Sequence, residues 1–268
     1  STFVVVKSAL ADSSTLAFLA VRFSIASVLL FAVFRSRLAA APPDRSSWIG
    51  GAVCGCFLFV GYALQTAGLR YTSASNSAFL TGLYVVLVPL FSSALARKNV
   101  RWVEWMACLL ATGGTALMTG LGMGTLNWGD LLTVGCAVAF SAHIVAVAHW
   151  SGRLNYEWLT LLQVAGVAIL SLSTFWWIET PHLSWTPSLA AALAVTAVLA
   201  TALSFSLYTW AQRHTTATRA ALLFALEPVF AGLVAWGFAG EKWNRTSLAG
   251  AMLILCSIVL AELRPAQK

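Results

Sequence analysis

Apolar residues come in long runs parted by short polar links, and run length carries more information here than periodicity within a run. After a brief opening run at 3–10, the runs cover approximately 15–34, 48–69, 73–96, 102–121, 128–149, 158–178, 188–212, 217–239 and 246–263. Each of these nine holds about 20 residues, enough to cross a bilayer as one helix. The opening run is too short to span and reads as the second half of a helix begun upstream. It lacks the basic head and small-residue ending of a signal peptide. Ten helices are therefore expected. The links hold the Pro, Gly, Asp and Arg of turns, the longest being 35–47 with Pro42 and Pro43.

Composition agrees. The chain is 59% hydrophobic and 9% charged, where soluble domains carry about 25% charged residues. This is the composition of an integral membrane protein. The net charge of +7 comes from basic residues scattered between apolar runs, with no basic stripe and interleaved aromatics of the kind nucleic acid requires. With the N-terminus set in the cytoplasm, the inside links and tail collect Arg35, Arg37, Arg45, Arg97, Lys98, Arg101, Arg153, Arg213, Arg219, Arg264 and Lys268. The outside links collect Lys7, Arg70, Lys242 and Arg245, and Arg22 is left inside the second helix. Eleven against four sets both termini in the cytoplasm. The five cysteines lie inside apolar runs without metal-ligand spacing and read as packing residues.

The chain repeats itself. At an offset of 143, RYTSASNSAFLTGL (70–83) falls on RHTTATRAALLFAL (213–226), with six of fourteen positions identical and two Ser/Thr exchanges. The same offset carries 102–117 onto 245–260 and Leu16 onto Leu159 without gaps. Two five-helix units follow, at 1–121 and 122–268. An odd number of crossings makes the second enter the membrane in the opposite sense, the inverted repeat of many secondary transporters.

Candidate chemistry concentrates in the ninth run. Glu227, followed by Pro228, is the one acidic residue placed near mid-membrane; the other eight lie at or near run ends. A carboxyl there needs a partner or a wet cavity, and the proline bends the helix and frees a carbonyl. The offset sets Glu227 opposite Tyr84, and Tyr208 opposite Gln65. Helical spacing groups Asn76 with Tyr84, Tyr62 with Gln65, and Ser204 with Tyr208 and Gln212. His143 lies deep in the sixth helix beside Phe140. Each of these side chains has a structural use in interhelical hydrogen bonding, but symmetric polar pairs at one depth also suit a solute site. The candidate substrate-binding set is Tyr62, Gln65, Asn76, Tyr84, His143, Ser204, Tyr208 and Glu227. Gly51-x-x-x-Gly55 and Gly113-Gly114 read as surfaces for close helix approach, and His149 and His214 as residues near helix ends.

No zinc-protease, nucleophile-elbow or nucleotide-binding motif is present. Neither the Asp130 nor the Ser151 context fits an intramembrane protease, and Glu227 has no deep carboxylate partner for acid–base chemistry. No cofactor or metal is expected. The reading is a secondary transporter rather than an enzyme. Its partners are the bilayer, a small amino-acid-like metabolite and a coupled proton, with no nucleic acid and the oligomeric state left open. An intramembrane enzyme or a non-transporting assembly subunit is the alternative.

STFVVVKSAL at 1–10, TSASNSAFLTGLYVVLVPLF at 72–91 and ALLFALEPVFAGLVAWGFAGE at 221–241 resemble the EamA family of the drug/metabolite transporter superfamily, with LEPVF and its trailing GE the most specific part. The resemblance implies a ten-helix, two-repeat all-α transporter of the inner membrane, an exporter of amino acids or other small metabolites. It also implies a central cavity lined by the first, third, fourth, sixth, eighth and ninth helices. The first repeat departs from the second: Tyr84 replaces the acid, and Pro89 lies one turn beyond the position matching Pro228.

Overall fold

The computed structural model describes residues 2–96, 100–119, 127–239 and 244–262. Almost all of them are helical. In order, the elements are α1 (Thr2–Ala9), α2 (Thr15–Ala40), α3 (Arg45–Gly68), α4 (Ala74–Gly82), α5 (Tyr84–Ala96), α6 (Trp102–Thr119), α7 (Trp128–Ser151) and α8 (Tyr156–Ile178). There follow α9 (Pro187–Ala197), a π-helical turn (Val198–Leu203), α10 (Ser204–Gln212), α11 (Ala217–Phe224), α12 (Glu227–Ala239) and α13 (Arg245–Glu262). Among the described residues, six spans are long and apolar enough to cross a membrane: Thr15–Ala40, Arg45–Gly68, Ala74–Leu95, Trp128–Ser151, Tyr156–Ile178 and Pro187–Gln212. Shorter helices occupy the other four runs. Outward side chains such as Val33 and Trp177, 73% and 88% exposed, suit lipid rather than water.

Local chemistry sets the helix ends. Ser73, Thr186 and Thr216 accept from backbone N–H groups at the starts of α4, α9 and α11, and Asn127 forms a reciprocal capping box with Asp130 at α7. Asp44 caps α3, and the N–H and hydroxyl of Ser47 hold its carboxyl below the usual carboxylate range.

Three runs expected as unbroken helices are interrupted. The run at 73–96 breaks at Leu83, where Leu83 N bonds Leu80 O and Val86 N bonds Leu83 O in tightened i→i−3 fashion. The run at 217–239 breaks at Ala225 and Leu226, where Leu226 N reaches Leu223 O. There Pro228 has no N–H to give and crowds the preceding turn. The eighth run widens into the π-helical turn, and side chains take up carbonyls five residues back: Thr201 donates to Thr196 O and Ser204 to Leu199 O, both at 2.8 Å.

Two apolar clusters flank the centre. One joins Phe18 and Phe23 of α2 to Val164 and Val167 of α8 and Leu189 of α9. The other joins Val85 and Val88 of α5 to Ala107 of α6, Leu222 of α11 and Ile254 of α13. Helices α6 and α13, equivalent under the offset of 143, pack on each other. So do α2 and α8. A Cβ on Gly114 would meet Gly250 O at 2.6 Å, and one on Gly250 would meet Gly114 O at 2.6 Å. Gly51 and Gly55 likewise lie against α8, whereas Gly113 has open space beside it.

Side-chain contacts tie several described links together at two ends of the bundle. At one end Ser13 bridges Leu183, Arg70 donates to Ser13 O at 2.7 Å and Thr15 Oγ1 at 3.0 Å, and Thr72 bonds Asp130. There too Glu179 Oε1 accepts from Leu16 N and Ala17 N at 2.8 and 3.1 Å, a carboxylate on the positive end of α2. At the other end Arg37 pairs with Glu157 at 3.1 Å, and Trp158 Nε1 donates to Ala41 O. Arg97, Lys98, Lys242, Arg264 and Lys268 lie outside the described residues.

Candidate functional site

A cavity of about 470 Å³ lies between the two clusters, within the size range of small-molecule sites. Seven of the eight sequence-selected residues line it: Tyr62, Gln65, Tyr84, His143, Ser204, Tyr208 and Glu227. They come from α3, α5, α7, α10 and α12, so the site forms only when both halves of the chain assemble. Asn76 stands apart, in the first turn of α4, where its N–H bonds the Ser73 cap. The interruption at Leu83 separates its segment from that of Tyr84.

Tyr84 and Glu227, matched by the offset of 143, are the first residues of α5 and α12. Each opens the segment that follows a helix break. Glu227 therefore sits in the first turn of a helix, where a negative charge is favoured, and its side chain is exposed to open space. It lines this cavity and a second of about 500 Å³ beside α4 and α6. It makes no hydrogen bond or ion pair to another described residue. Six other acids are engaged: Asp12 by Thr186, Glu104 by Arg101 N, Glu157 by Arg37, and Asp44, Asp130 and Glu179 at helix starts.

Hydrogen bonds and rings fix the rest of the wall. Gln163 donates through Nε2 to Thr209 Oγ1 at 3.0 Å, which leaves its Oε1 to accept from His143 Nε2 at 2.8 Å. Gln65 donates to Thr81 Oγ1 at 3.2 Å. The Tyr62 ring meets Phe23, Phe140 and Phe205 at centroid separations of 5.1, 5.2 and 6.4 Å. Phe224 lies between Tyr84 and Tyr208, at 6.3 and 5.3 Å. The Tyr208 hydroxyl is buried with no hydrogen-bond partner among the described residues.

Several lining residues escaped sequence reasoning. Phe205 and Phe224 are apolar residues in apolar runs, with nothing to mark them. Phe205 could have been found through the repeat, because the offset pairs it with Tyr62. Arg22 also borders the cavity. Its signal was present, as the one basic residue left inside a span once the links were counted.

This arrangement is that of a multi-pass helical membrane protein with a solute-sized cavity at its centre, the class to which membrane transporters belong. The chain belongs to the EamA-like transporter family, whose profile matches residues 1–120 and again 127–263. A relative in Archaeoglobus fulgidus, recorded as an uncharacterized transporter, is 33% identical over 98% of this chain and 82% of its own length. YvbV of Bacillus subtilis, recorded in the same words, is 27% identical over 96% of this chain and 85% of its own. The uncharacterized inner membrane transporter YedA of Escherichia coli is 24% identical over 98% and 86%. A solved crystal structure at 18% identity shares the fold, with a TM-score of 0.78 over 98% of this chain and 94% of that one.

Proposed function

We propose that the protein is a secondary transporter exporting amino acids or similar small metabolites across the inner membrane by alternating access. Two inverted five-helix units, 1–121 and 122–268, rock about the cavity, with both termini cytoplasmic. Three observations support this architecture. The family profile matches in two stretches that divide close to that boundary. Offset-related helices α2 and α8, and α6 and α13, pack as pairs. Offset-related breaks place Tyr84 and Glu227 at the cavity, and broken helices at repeat interfaces are a recurring way to build transport sites.

The observation that carries the mechanism is the carboxyl of Glu227, open to two cavities at a helix break and without a hydrogen bond or ion pair to another described residue, while six other acids have such partners. Such a group can hold either a substrate ammonium or a proton, and exchanging one for the other couples solute movement to the proton gradient. Aromatic walls from Tyr62, Phe205 and Phe224 suit the apolar part of a metabolite. Reconstitution in liposomes tests the reading. Efflux of a panel of labelled amino acids should be carried by the protein and should change when a pH gradient is imposed. Absence of protein-dependent flux for every panel member would contradict it.

A further inference from the structure

Arg22 lies within α2 and is 2% exposed. Its guanidinium carbon sits 4.8 Å from the centroid of the Tyr62 ring and 5.2 Å from that of Phe23. Its Nε donates to Thr201 Oγ1 at 2.9 Å. No carboxylate of a described residue pairs with it; the one ion pair among those residues joins Arg37 to Glu157 at the far end of α2. Burying a cation costs several kcal/mol unless an anion and hydrogen-bond acceptors compensate. Two ring faces and the hydroxyls of Thr201 and Tyr62 supply part of that compensation. The anion is missing, and Arg22 forms part of the cavity wall.

The π-helical turn explains how the side chain is held. Thr201 spends its proton on Thr196 O, five residues back, so its oxygen can accept from Arg22. Widened turns of this kind recur at functional sites. The offset of 143 sets Ala165 opposite Arg22 and Leu58 opposite Thr201. The second copy of the repeat thus does without the pair, and a scaffolding role common to both halves does not account for it. Glu227, the carboxyl in the same cavity, makes no ion pair with Arg22. Among the described residues that line it, the cavity therefore offers one guanidinium and one carboxyl, neither neutralising the other by contact.

We infer that Arg22, oriented by Thr201 on the π-helical turn, binds the carboxylate of the transported solute, while Glu227 receives its ammonium group. This rests on reading the cavity as the solute site, and it narrows the solute to a small zwitterion. A guanidinium suits a carboxylate because its planar donors match two oxygens, and it remains charged where an ammonium would readily lose its proton.

Chemical trimming of the ligand tests this in the full chain held in nanodiscs. The probes are leucine and 5-aminopentanoate, each alongside its methyl ester, which lacks the carboxylate, and its N-acetyl form, which lacks the ammonium. Calorimetric Kd values should show at least one acid binding roughly tenfold or more tighter than its own ester, as loss of a charge-assisted pair predicts. Arg22→Gln should bring that acid-to-ester ratio to about one. Arg22→Lys should keep part of it, and Thr201→Val should fall between wild type and Arg22→Gln. Equal wild-type affinity for acid and ester would overturn the carboxylate assignment and leave the transport reading standing. So would a wild-type ratio in a folded Arg22→Gln variant, or in Arg22→Lys and Thr201→Val should the Gln variant fail to fold. Wild-type protein that binds none of the six probes would overturn the amino-acid reading and this proposal together.

Discussion

The ring centroids of Tyr62 and Phe205 lie 6.4 Å apart with the planes tilted by 58°, and the two residues are separated by the repeat offset of 143. In a molecule made of two related halves, a residue that touches its own counterpart lies beside the axis relating them. In the inverted arrangement proposed above, the pseudo-two-fold axis would run beside this pair, in the aromatic wall of the cavity. On the proposed duplication, individual positions of the two halves differ. The offset matches Tyr84 with Glu227, Gln65 with Tyr208, and Arg22 with Ala165.

Tyr62 is accordingly both a packing residue and part of the solute wall. Tyr62→Ala removes a ring that touches Phe23, Phe140 and Phe205 and covers the Arg22 guanidinium. It should cost about 3 kcal/mol. Tyr62→Phe keeps the ring contacts and should cost less than about 1.5 kcal/mol. Thermal unfolding in detergent separates the two outcomes. A small loss for Ala would mean that the ring does not hold the halves together.

Close approach of α6 and α13 rests on two glycines. Since a Cβ at Gly114 or Gly250 would come within 2.6 Å of a backbone oxygen, Gly114→Ala and Gly250→Ala should each destabilise by about 1–3 kcal/mol. Gly113→Ala is the control. Nothing lies within 4 Å of its added methyl, so it should melt like the wild type. Equal behaviour of Gly113→Ala and Gly114→Ala would show that the helices are not packed through this contact.

The charge count assigns the 35–47 link to the cytoplasm and the link at Arg70 to the outside. Single cysteines replacing Arg45 and Tyr71, both exposed, in a background without the five native cysteines, should react with an impermeant thiol reagent from opposite faces of the membrane. Labelling of both from one side would break the alternation on which the inverted repeat depends.

Much of the fold could be read from the chain, because burial in lipid demands long apolar runs and their ends need caps and charges. Helix α8 begins two residues before its predicted run, at Tyr156, because Asn155 caps it. Interruptions were less legible. Pro228 marks the break at Leu226, but the break at Leu83 arises from turn geometry in apolar sequence, and Pro89 gives no warning of it because it lies inside α5. The π-helical turn depends on hydroxyls of Thr201 and Ser204 reaching back five residues, and the sequence carries no mark of it. In the site, spacing and symmetry picked out polar residues such as Gln65 and Tyr208. They also overreached to Asn76, whose place in the capping turn of α4 removes it from the cavity. Phe205 could have been reached through its offset partner Tyr62, whereas Phe224 is visible only once the helices pack.

Glu227 gives the most direct test of transport through this cavity. Glu227→Gln preserves side-chain size and most hydrogen-bonding capacity while removing the proton that the carboxyl can gain or lose. The variant should insert and purify as the wild type does, with an unchanged melting temperature. In liposomes its amino-acid flux should fall by roughly tenfold or more, or persist without a response to a pH gradient, as expected when a lone intramembrane carboxyl carries the coupling. Wild-type flux that still responds to the pH gradient in a folded Glu227→Gln protein would contradict the mechanism and return Glu227 to a structural role.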